Sequence, residues 1–430
     1  MRNWIVLMLA LFLQPGAFGV AQAADGSLDV SFRQLQFLPI QARLKLGVED
    51  LGPHDLFSAA QLLLSAASKH NEELGLTILR KVTPADVPCI QYYRAEWYLR
   101  KGHPKEARTE LEGFLATKAV ACDSAHADLF ACCPASKYRN AAGLLALAKT
   151  DDGAEFSDAV SLRFATAAGA GKAKTPMVVW QGQAFLLDTG SEHNIWNTQC
   201  ADVLSLQTDK SGAYGGADST GGTVVGNFAV PGKPVLGLSR QHLGGFAFDL
   251  SSTAADYKML LGPGIKFCGI LAPQRLVPRG LIVFDWAAQS ILLCQGDKCR
   301  RSLNLPVNCP MYQFNGRPYF NASVSDGAER LFLIDTGATL SSADLNYFAT
   351  PPATTTVNSE VSGAGGKKTR TSVLATAKLA FCGLGFNIKP FPVRGSSRSW
   401  EWAENGKLGM NSLFEGLFML DFGQGMGLMK

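Results

Sequence analysis

The chain contains the segment Phe185-Leu-Leu-Asp-Thr-Gly190 and nearly repeats it as Phe332-Leu-Ile-Asp-Thr-Gly337. In both segments an apolar run, as long as a buried β-strand, ends at an Asp-Thr-Gly triplet. The two triplets lie 147 residues apart. Two such segments in one chain of 430 residues indicate an internal duplication.

Other landmarks recur in the same order around these segments. After the first segment come a Gly-rich stretch at 211–216, a Leu-Gly pair at 261–262 and a closing apolar-Asp-aromatic triplet at 284–286. After the second segment the same three landmarks are at 362–366, 408–409 and 420–422. Short β-type runs separated by Gly-containing turns surround them. The pattern predicts two related, mainly β units, a first repeat over about 155–300 and a second repeat over about 301–430.

Asp188 and Asp335 are the candidate catalytic residues. A carboxylate at the end of a buried strand is costly unless it is paired and hydrogen-bonded. Two carboxylates that meet at the junction of two repeats cannot both ionise easily, so they share a proton. The ionised one can then act as a base on water while the protonated one donates to a substrate carbonyl. This chemistry is hydrolysis, and it requires neither a metal nor a cofactor.

The residues next to each Asp are expected to complete one active-site loop in each repeat. These loop residues are Thr189, Gly190, Ser191, Thr336, Gly337 and Ala338. The two threonines are expected to hydrogen-bond across to the opposite loop, and the two glycines let backbone N–H groups approach the carboxylates. The Gly-rich stretches suit mobile hairpin tips that close over a bound peptide. The candidate substrate-binding residues in them are Tyr214, Gly215, Gly363 and Gly365.

These motifs resemble those of the aspartic peptidases, of which the pepsin and retroviral families are the two well-known forms. The resemblance runs from near residue 170 to the C-terminus. It implies a mainly β, bilobal fold in which Asp188 and Asp335 form the catalytic pair and Tyr214 is the tyrosine of a flap. It also implies that Leu-Gly pairs at 261–262 and 408–409 support the two active-site loops, and that the substrate is a polypeptide.

The residue after each triplet differs between the two repeats. Ser191 follows the first triplet as in pepsins, where this hydroxyl bonds the carboxylate, and Ala338 follows the second as in retroviral peptidases. The difference predicts an unequal pair in which Asp188 is the more acidic. Tyr214 follows Asp188 at a short spacing, like that of the retroviral enzymes. The resemblance therefore implies two compact, retroviral-like lobes in one chain.

The N-terminus is typical of a secretory signal peptide. Arg2 precedes an apolar run over 4–13, and Ala21-Gln-Ala23 supplies a cleavage site. The run is shorter than the ~20 residues that span a bilayer. Residues 1–23 are predicted to be removed, which leaves an exported chain, periplasmic or extracellular, without stable membrane insertion. Ten cysteines follow, and an even number in an exported chain predicts disulfides.

Residues 24–154 are predicted to form an α-helical domain. Its stretch around 95–107 resembles part of a tetratricopeptide unit. Two interpretations stay open, a permanent accessory domain that binds a protein partner or a pro-segment that blocks the cleft. The length of the region, its cysteines and its own apolar periodicity favour the accessory domain.

Two functions follow from these predictions. The first is an exported aspartic endopeptidase that cuts extended polypeptides, and the second is a non-catalytic exported protein that binds peptides or proteins on the same scaffold. The two complete triplets favour the enzyme, because a binding protein has no chemical use for both. Basic residues are scattered and the net charge is only +4, so nucleic acid is not an expected partner.

Overall fold

The structure of the protein is a computed structural model. It describes residues 51–65, 69–117, 121–122, 130–150, 159–165, 175–217, 223–238, 243–257, 261–295, 309–314, 316–325, 327–363, 366–394, 405–413 and 416–429. The predicted signal peptide, 1–23, and the candidate residue Gly365 lie outside these ranges. Within them, no helix has both the length and the apolar character needed to cross a membrane.

The first part of the described chain is helical, as predicted. Its helices are α1 (Pro53–Ser65), α2 (Lys69–Lys81), α3 (Ile90–Arg100), α4 (Pro104–Ala116) and α5 (Ala135–Thr150). Pro53 and Pro104 occupy the first residue of their helices, where the missing N–H costs nothing. Gly102 follows α3 with a φ of +71°, and this left-handed conformation ends the helix. Short parallel strands, β1 (Ala121–Cys122) and β2 (Cys133–Pro134), lie between α4 and α5.

The first repeat is mainly β. Its strands are β3 (Val160–Arg163), β4 (Met177–Trp180), β5 (Gln183–Leu187), β6 (Asn194–Asn197), β7 (Gln207–Ala217), β8 (Thr223–Val230), β9 (Gly245–Phe248), β10 (Lys266–Leu271), β11 (Leu281–Asp285) and β12 (Ser290–Cys294). Short helices interrupt them, namely α6 (Ala201–Leu204), α7 (Ser251–Tyr257) and α8 (Pro273–Leu276).

The second repeat has a similar content. Its strands are β13 (Cys309–Phe314), β14 (Arg317–Val324), β15 (Arg330–Ile334), β16 (Ser342–Asp344), β17 (Thr355–Gly363), β18 (Gly366–Leu374), β19 (Ala377–Phe381), β20 (Leu384–Ile388), β21 (Phe391–Arg394), β22 (Gly406–Leu408), β23 (Leu417–Asp421) and β24 (Met426–Met429). Helix α9 (Met410–Leu413) follows β22, as α8 follows β10.

The two repeats share one strand order. In the first repeat the sheet runs β4-β5-β10-β6-β9-β8-β7, and in the second it runs β14-β15-β22-β16-β21-β18-β17. Each strand in one of these orders thus has a counterpart in the other. The strands β19 and β20 are outside these orders and are present only in the second repeat among the described residues. The duplication seen in the residues therefore extends to the hydrogen-bonded topology.

The closing strands of the two repeats join in a single sheet. In the order β3-β12-β11-β23-β24-β13, β11 of the first repeat pairs antiparallel with β23 of the second. Val283 lies opposite Met419 at the centre of this pair. The sheet therefore joins strands from both sides of the predicted boundary near residue 300, which itself lies outside the described residues.

The strand that precedes each Asp is buried on both faces. Phe185 and Phe332 pack in a core that the two repeats share. Leu186 and Leu333 point to the opposite faces, because side chains alternate along a strand, and they belong to a second core that also contains Tyr92 of α3. This double burial explains why the two segments are continuously apolar.

Disulfides form within each of the three parts of the molecule. The bonds are Cys89–Cys133 in the helical domain, Cys200–Cys268 in the first repeat and Cys309–Cys382 in the second. The prediction of disulfides is confirmed for these pairs. The Cys200–Cys268 bond ties β10 to the short helical turn after β6, next to the strand that ends at Asp188.

The helical domain is attached to the first repeat by polar as well as apolar contacts. Asn140 of α5, which is 7% exposed, accepts from the backbone N–H of Gly215 at 2.8 Å and donates to the Gly215 carbonyl at 3.2 Å. At a second point, Nη2 of Arg279 lies 2.9 Å from Nε2 of His103. Strand β7, which carries Gly215, is therefore held by a side chain from outside its own repeat.

Replacing Asn140 by alanine tests this attachment. The change leaves both backbone groups of Gly215 without their partner, and a lost buried hydrogen bond costs about 1–3 kcal/mol. We expect amide hydrogen exchange in β7 to become roughly tenfold faster, while exchange in β17–β18 stays unchanged. Glu112→Ala, on the exposed face of α4, is the matched control. Unchanged exchange in β7 would show that α5 does not hold this strand.

Candidate active site

The two candidate aspartates occupy equivalent places at the ends of β5 and β15. The Asp188 N–H donates to the Leu271 carbonyl at 2.9 Å, and the Asp335 N–H donates to the Leu408 carbonyl at 3.0 Å. Leu271 and Leu408 end the strands β10 and β22, which run parallel to β5 and β15. Each Asp is thus fixed at the point where two parallel strands end together.

This geometry corrects one predicted equivalence. The counterpart of Leu408-Gly409 is Leu271-Ala272, and not Leu261-Gly262 as the sequence repeat suggested. A Cβ at Gly409 would lie 2.5 Å from the carbonyl carbon of Leu340, so glycine is required there. A Cβ at Gly262 would meet only a side-chain carbon at 3.7 Å, which is ordinary contact. The two Leu-Gly pairs therefore follow their aspartates at the same distance along the chain without having the same place in the fold.

Two threonines join the active-site loops across the repeats. The Thr189 N–H donates to Thr336 Oγ1 at 3.0 Å, and the Thr336 N–H donates to Thr189 Oγ1 at 3.1 Å. Each hydroxyl also donates to a carbonyl of the opposite strand, Thr189 to Ile334 at 2.6 Å and Thr336 to Leu187 at 2.7 Å. Both threonines are fully buried, and these bonds satisfy their hydroxyl groups and N–H groups. The network sets the separation of the two loops.

Glycine is required at the third position of both triplets. A Cβ on Gly190 would lie 2.7 Å from Cγ of Asp335, and a Cβ on Gly337 would lie 2.5 Å from Cγ of Asp188. Each carboxyl group therefore lies against the glycine of the other loop. The structure brings Asp188 and Asp335 together in one site, of which Asp335 is the more deeply buried part.

The two carboxyl groups have different hydrogen-bond partners. Oδ1 of Asp188 accepts from the N–H groups of Gly190 at 2.8 Å and Gly337 at 3.2 Å. Oδ1 of Asp335 accepts from the Ala338 N–H at 3.0 Å, and Oδ2 accepts from Nζ of Lys407 at 2.7 Å. Lys407 is a site residue that the sequence motifs do not predict. Its position two residues before Gly409 is a sequence signal, because Leu408 lies beside the strand that ends at Asp335. The incorrect equivalence of Leu408-Gly409 with Leu261-Gly262 hides this signal.

These surroundings give the two aspartates opposite pKa shifts. Burial, and then the charge of Asp335, raise the pKa of Asp188 to about 7. Burial also acts to raise the pKa of Asp335, but the charge and the hydrogen bond of Lys407 outweigh it, and the pKa of Asp335 is lowered. The hypothesis that Asp188 is the more acidic is therefore wrong. The Ser191 hydroxyl, on which it depended, donates to the His193 carbonyl at 2.7 Å instead.

Tyr214 and Gly215 lie within strand β7, not at a hairpin tip. The Tyr214 hydroxyl donates to Oε2 of Glu192 at 2.8 Å, and its ring stacks on Phe246 with 4.5 Å between centroids. The register of β7 against β8 places Tyr214 opposite Gly226. Tyr214 lies three residues before Ala217, the last residue of β7. In the second repeat Gly363 is the last residue of β17 and pairs with Gly366 of β18.

The imidazole of His193 is a buried polar group next to the first active-site loop. His193 is 4% exposed, and its Nδ1 lies 3.1 Å from Nη2 of Arg275. A guanidinium can only donate, so Nδ1 is an acceptor and the imidazole is neutral. Burial, and then the charge of Arg275, hold the pKa of His193 well below its usual range. His193 is therefore a fixed part of the loop and does not supply a charge to Asp188.

Comparison with known proteins finds similarity among solved structures. No family model matches the chain, and no curated protein matches it. Among solved structures, the crystal structure of an aspartic proteinase from Irpex lacteus is similar over 63% of this chain and 96% of that chain, at 13% sequence identity and a TM-score of 0.34.

Thr336→Val tests the network that joins the loops. The variant keeps the shape of the side chain but leaves the Thr189 N–H and the Leu187 carbonyl without their buried partners. We expect the free energy of unfolding in urea to fall by about 2–4 kcal/mol, because each such group costs about 1–3 kcal/mol. Thr109→Val, on the exposed surface of α4, should change it by less than about 0.5 kcal/mol. Equal effects of the two changes would contradict the assigned network.

Proposed function

We propose that this chain is an aspartic-type endopeptidase. The observation that carries the proposal is the facing pair Asp188 and Asp335, held by cross-bonded threonines and differing in pKa. Aspartates with opposite pKa shifts in one site are suited to separate acid and base roles. Over the pH range in which Asp335 is ionised and Asp188 is protonated, the site holds one base and one acid.

The proposed reaction uses both groups at once. Asp335 takes a proton from a bound water as its oxygen attacks the carbonyl carbon of the substrate, while Asp188 gives its proton to the carbonyl oxygen. The tetrahedral product then collapses: the C–N bond breaks, the amine leaves with the proton held by Asp335, and a hydroxyl proton returns to Asp188. The pair ends in its starting state, and no bond forms between the protein and the substrate.

An extended polypeptide is the proposed substrate. Each repeat offers a long hairpin beside its loop, β7–β8 in the first and β17–β18 in the second. A peptide in the extended conformation can hydrogen-bond to such strands through its backbone, while alternate side chains contact the surface. We also propose that the protein is exported, because its disulfides suit an oxidising compartment.

A non-catalytic peptide-binding protein is the second candidate function. It is favoured by the attachment of β7 to the helical domain, because Gly215 is bonded through both of its backbone groups to Asn140. A strand held in this way cannot move freely over a substrate. In this alternative the chain would bind extended polypeptides and leave them intact.

Cleavage of a protein substrate separates the two candidates. We expect casein to be cut between about pH 3 and pH 7, with inhibition by a statine-type compound. Asp188→Asn and Asp335→Asn should each lower kcat/KM by at least about 10²–10⁴-fold, since each removes an acid or a base. Asp285→Asn is the matched control, because Asp285 is the last residue of β11 and its carboxylate accepts from the Ala288 N–H. Intact casein across this range, or activity that survives in Asp335→Asn, would exclude the enzyme.

The N-terminus of the exported protein tests whether the helical domain is permanent. Removal of the domain would expose the apolar side chains that share its core, among them Leu186 and Phe246 of the first repeat. We therefore expect mass spectrometry to find a mature chain that begins near residue 24. A chain that begins between about 155 and 175 would identify the helical region as a pro-segment instead.

A further inference from the structure

Lys407 is placed on β22 by the pairing of that strand with β15. It lies opposite Leu333 in the parallel register, two residues before Asp335 along β15. The equivalent position of the first repeat is Ile270, which lies opposite Leu186 on β5. At this register position the second repeat thus carries a cation and the first repeat an apolar side chain.

The ammonium group of Lys407 makes a close ion pair with Asp335. Nζ lies 2.7 Å from Oδ2, and the side chains of Lys407 and Asp335 are only 14% and 7% exposed. A charge this far from water is costly unless it has an opposite charge beside it. Lys407 is therefore stable in this place only with an anion as its neighbour, and Asp335 is the carboxylate within reach.

We propose that Lys407 is a positioning residue that keeps Asp335 in its ionised form and thereby makes Asp335 the base and Asp188 the acid. The inference rests on the proposed function and extends it, because the Asp pair alone does not say which carboxyl takes which role. The proton that the pair shares is confined to Asp188. The carbonyl oxygen of the substrate must then face Asp188, which sets the direction of the peptide in the site.

Other charged groups act on the same pair. The charge of Asp335 raises the pKa of Asp188, and ionisation of Asp188 at higher pH in turn opposes that of Asp335. Arg394, at the end of β21, also favours the ionised form of Asp335, and it lies 3.8 Å from Asp344 of β16. Lys407 is the cation that hydrogen-bonds to the carboxylate of Asp335.

The pH dependence of catalysis tests the proposal. The pKa of Asp335 is lowered, so the base is present above that pKa and is lost as the pH falls through it. Lys407→Met removes an opposite charge, which commonly changes the pKa of a carboxyl group by about 1–3. We expect the acidic limb of the kcat/KM profile to move to higher pH. The kcat/KM of Lys407→Met at about pH 4 should therefore be at least tenfold lower than the kcat/KM of the same variant at about pH 6.

Two variants serve as references for this profile. Lys407→Arg restores the charge and should keep the acidic limb where the unmodified chain has it. Lys378→Met, an exposed lysine on β19, should leave the whole profile unchanged. If Lys407→Met lowered kcat/KM by the same factor at every pH, the role of Lys407 would be structural. If it raised kcat/KM by the same factor at every pH, Lys407 would be blocking the base. Either outcome would overturn the proposal.

A measurement without activity separates this proposal from the proposed function. In urea unfolding near pH 6, Lys407→Met should destabilise the unmodified chain clearly more than it destabilises Asp335→Asn, because the amide has no charge to pair. Equal effects in the two backgrounds would overturn the assignment of Lys407. If the coupling is present and casein stays intact, the peptidase function fails while the ion pair and the ionised state of Asp335 stand.

Discussion

The facing arrangement of the two active-site loops depends on the bonds between Thr189 and Thr336. These residues satisfy one another's N–H groups through their hydroxyls and also bond to carbonyls of the opposite strands. The glycines that follow them can then lie against the opposite carboxyl groups, at distances that exclude any side chain. A pair of buried acids is tolerable only in such a fixed frame, because an acid that could move apart from its partners would lie unpaired in the interior.

The frame is symmetric, but the groups attached to it are not. Both strands that end at the aspartates have a parallel neighbour, and both neighbours lead into a short helix, α8 or α9. Where one neighbour carries Lys407, the other carries Ile270. Lys407 outweighs the burial of Asp335 and lowers the pKa of that residue, whereas burial and the charge of Asp335 raise the pKa of Asp188, so the two acids differ as catalysis at a dyad requires.

The parts of the structure that are local in sequence could be predicted from it. The duplication, the facing aspartates and the roles of threonine and glycine are all contained in one repeated hexapeptide. The contact of Lys407 could not be predicted, because it depends on the register of β22 against β15. Tyr214 lies inside β7 because the register of this strand against β8 shifts between Asp209 and Ala213, and no residue pattern marks that shift. The bond from Asn140 joins positions 75 residues apart and has no local signal.

The pairing of β11 with β23 has a consequence for how the chain is made. During synthesis β11 emerges long before β23, so one edge of it stays open until the second repeat is nearly complete. The residues along that edge, among them Ile282 and Phe284, are apolar and are fully buried in the finished protein. An unpaired apolar strand is a ready site for aggregation. A nascent chain or a fragment that stops short of β23 therefore exposes an apolar strand edge that pairing with β23 covers in the complete chain.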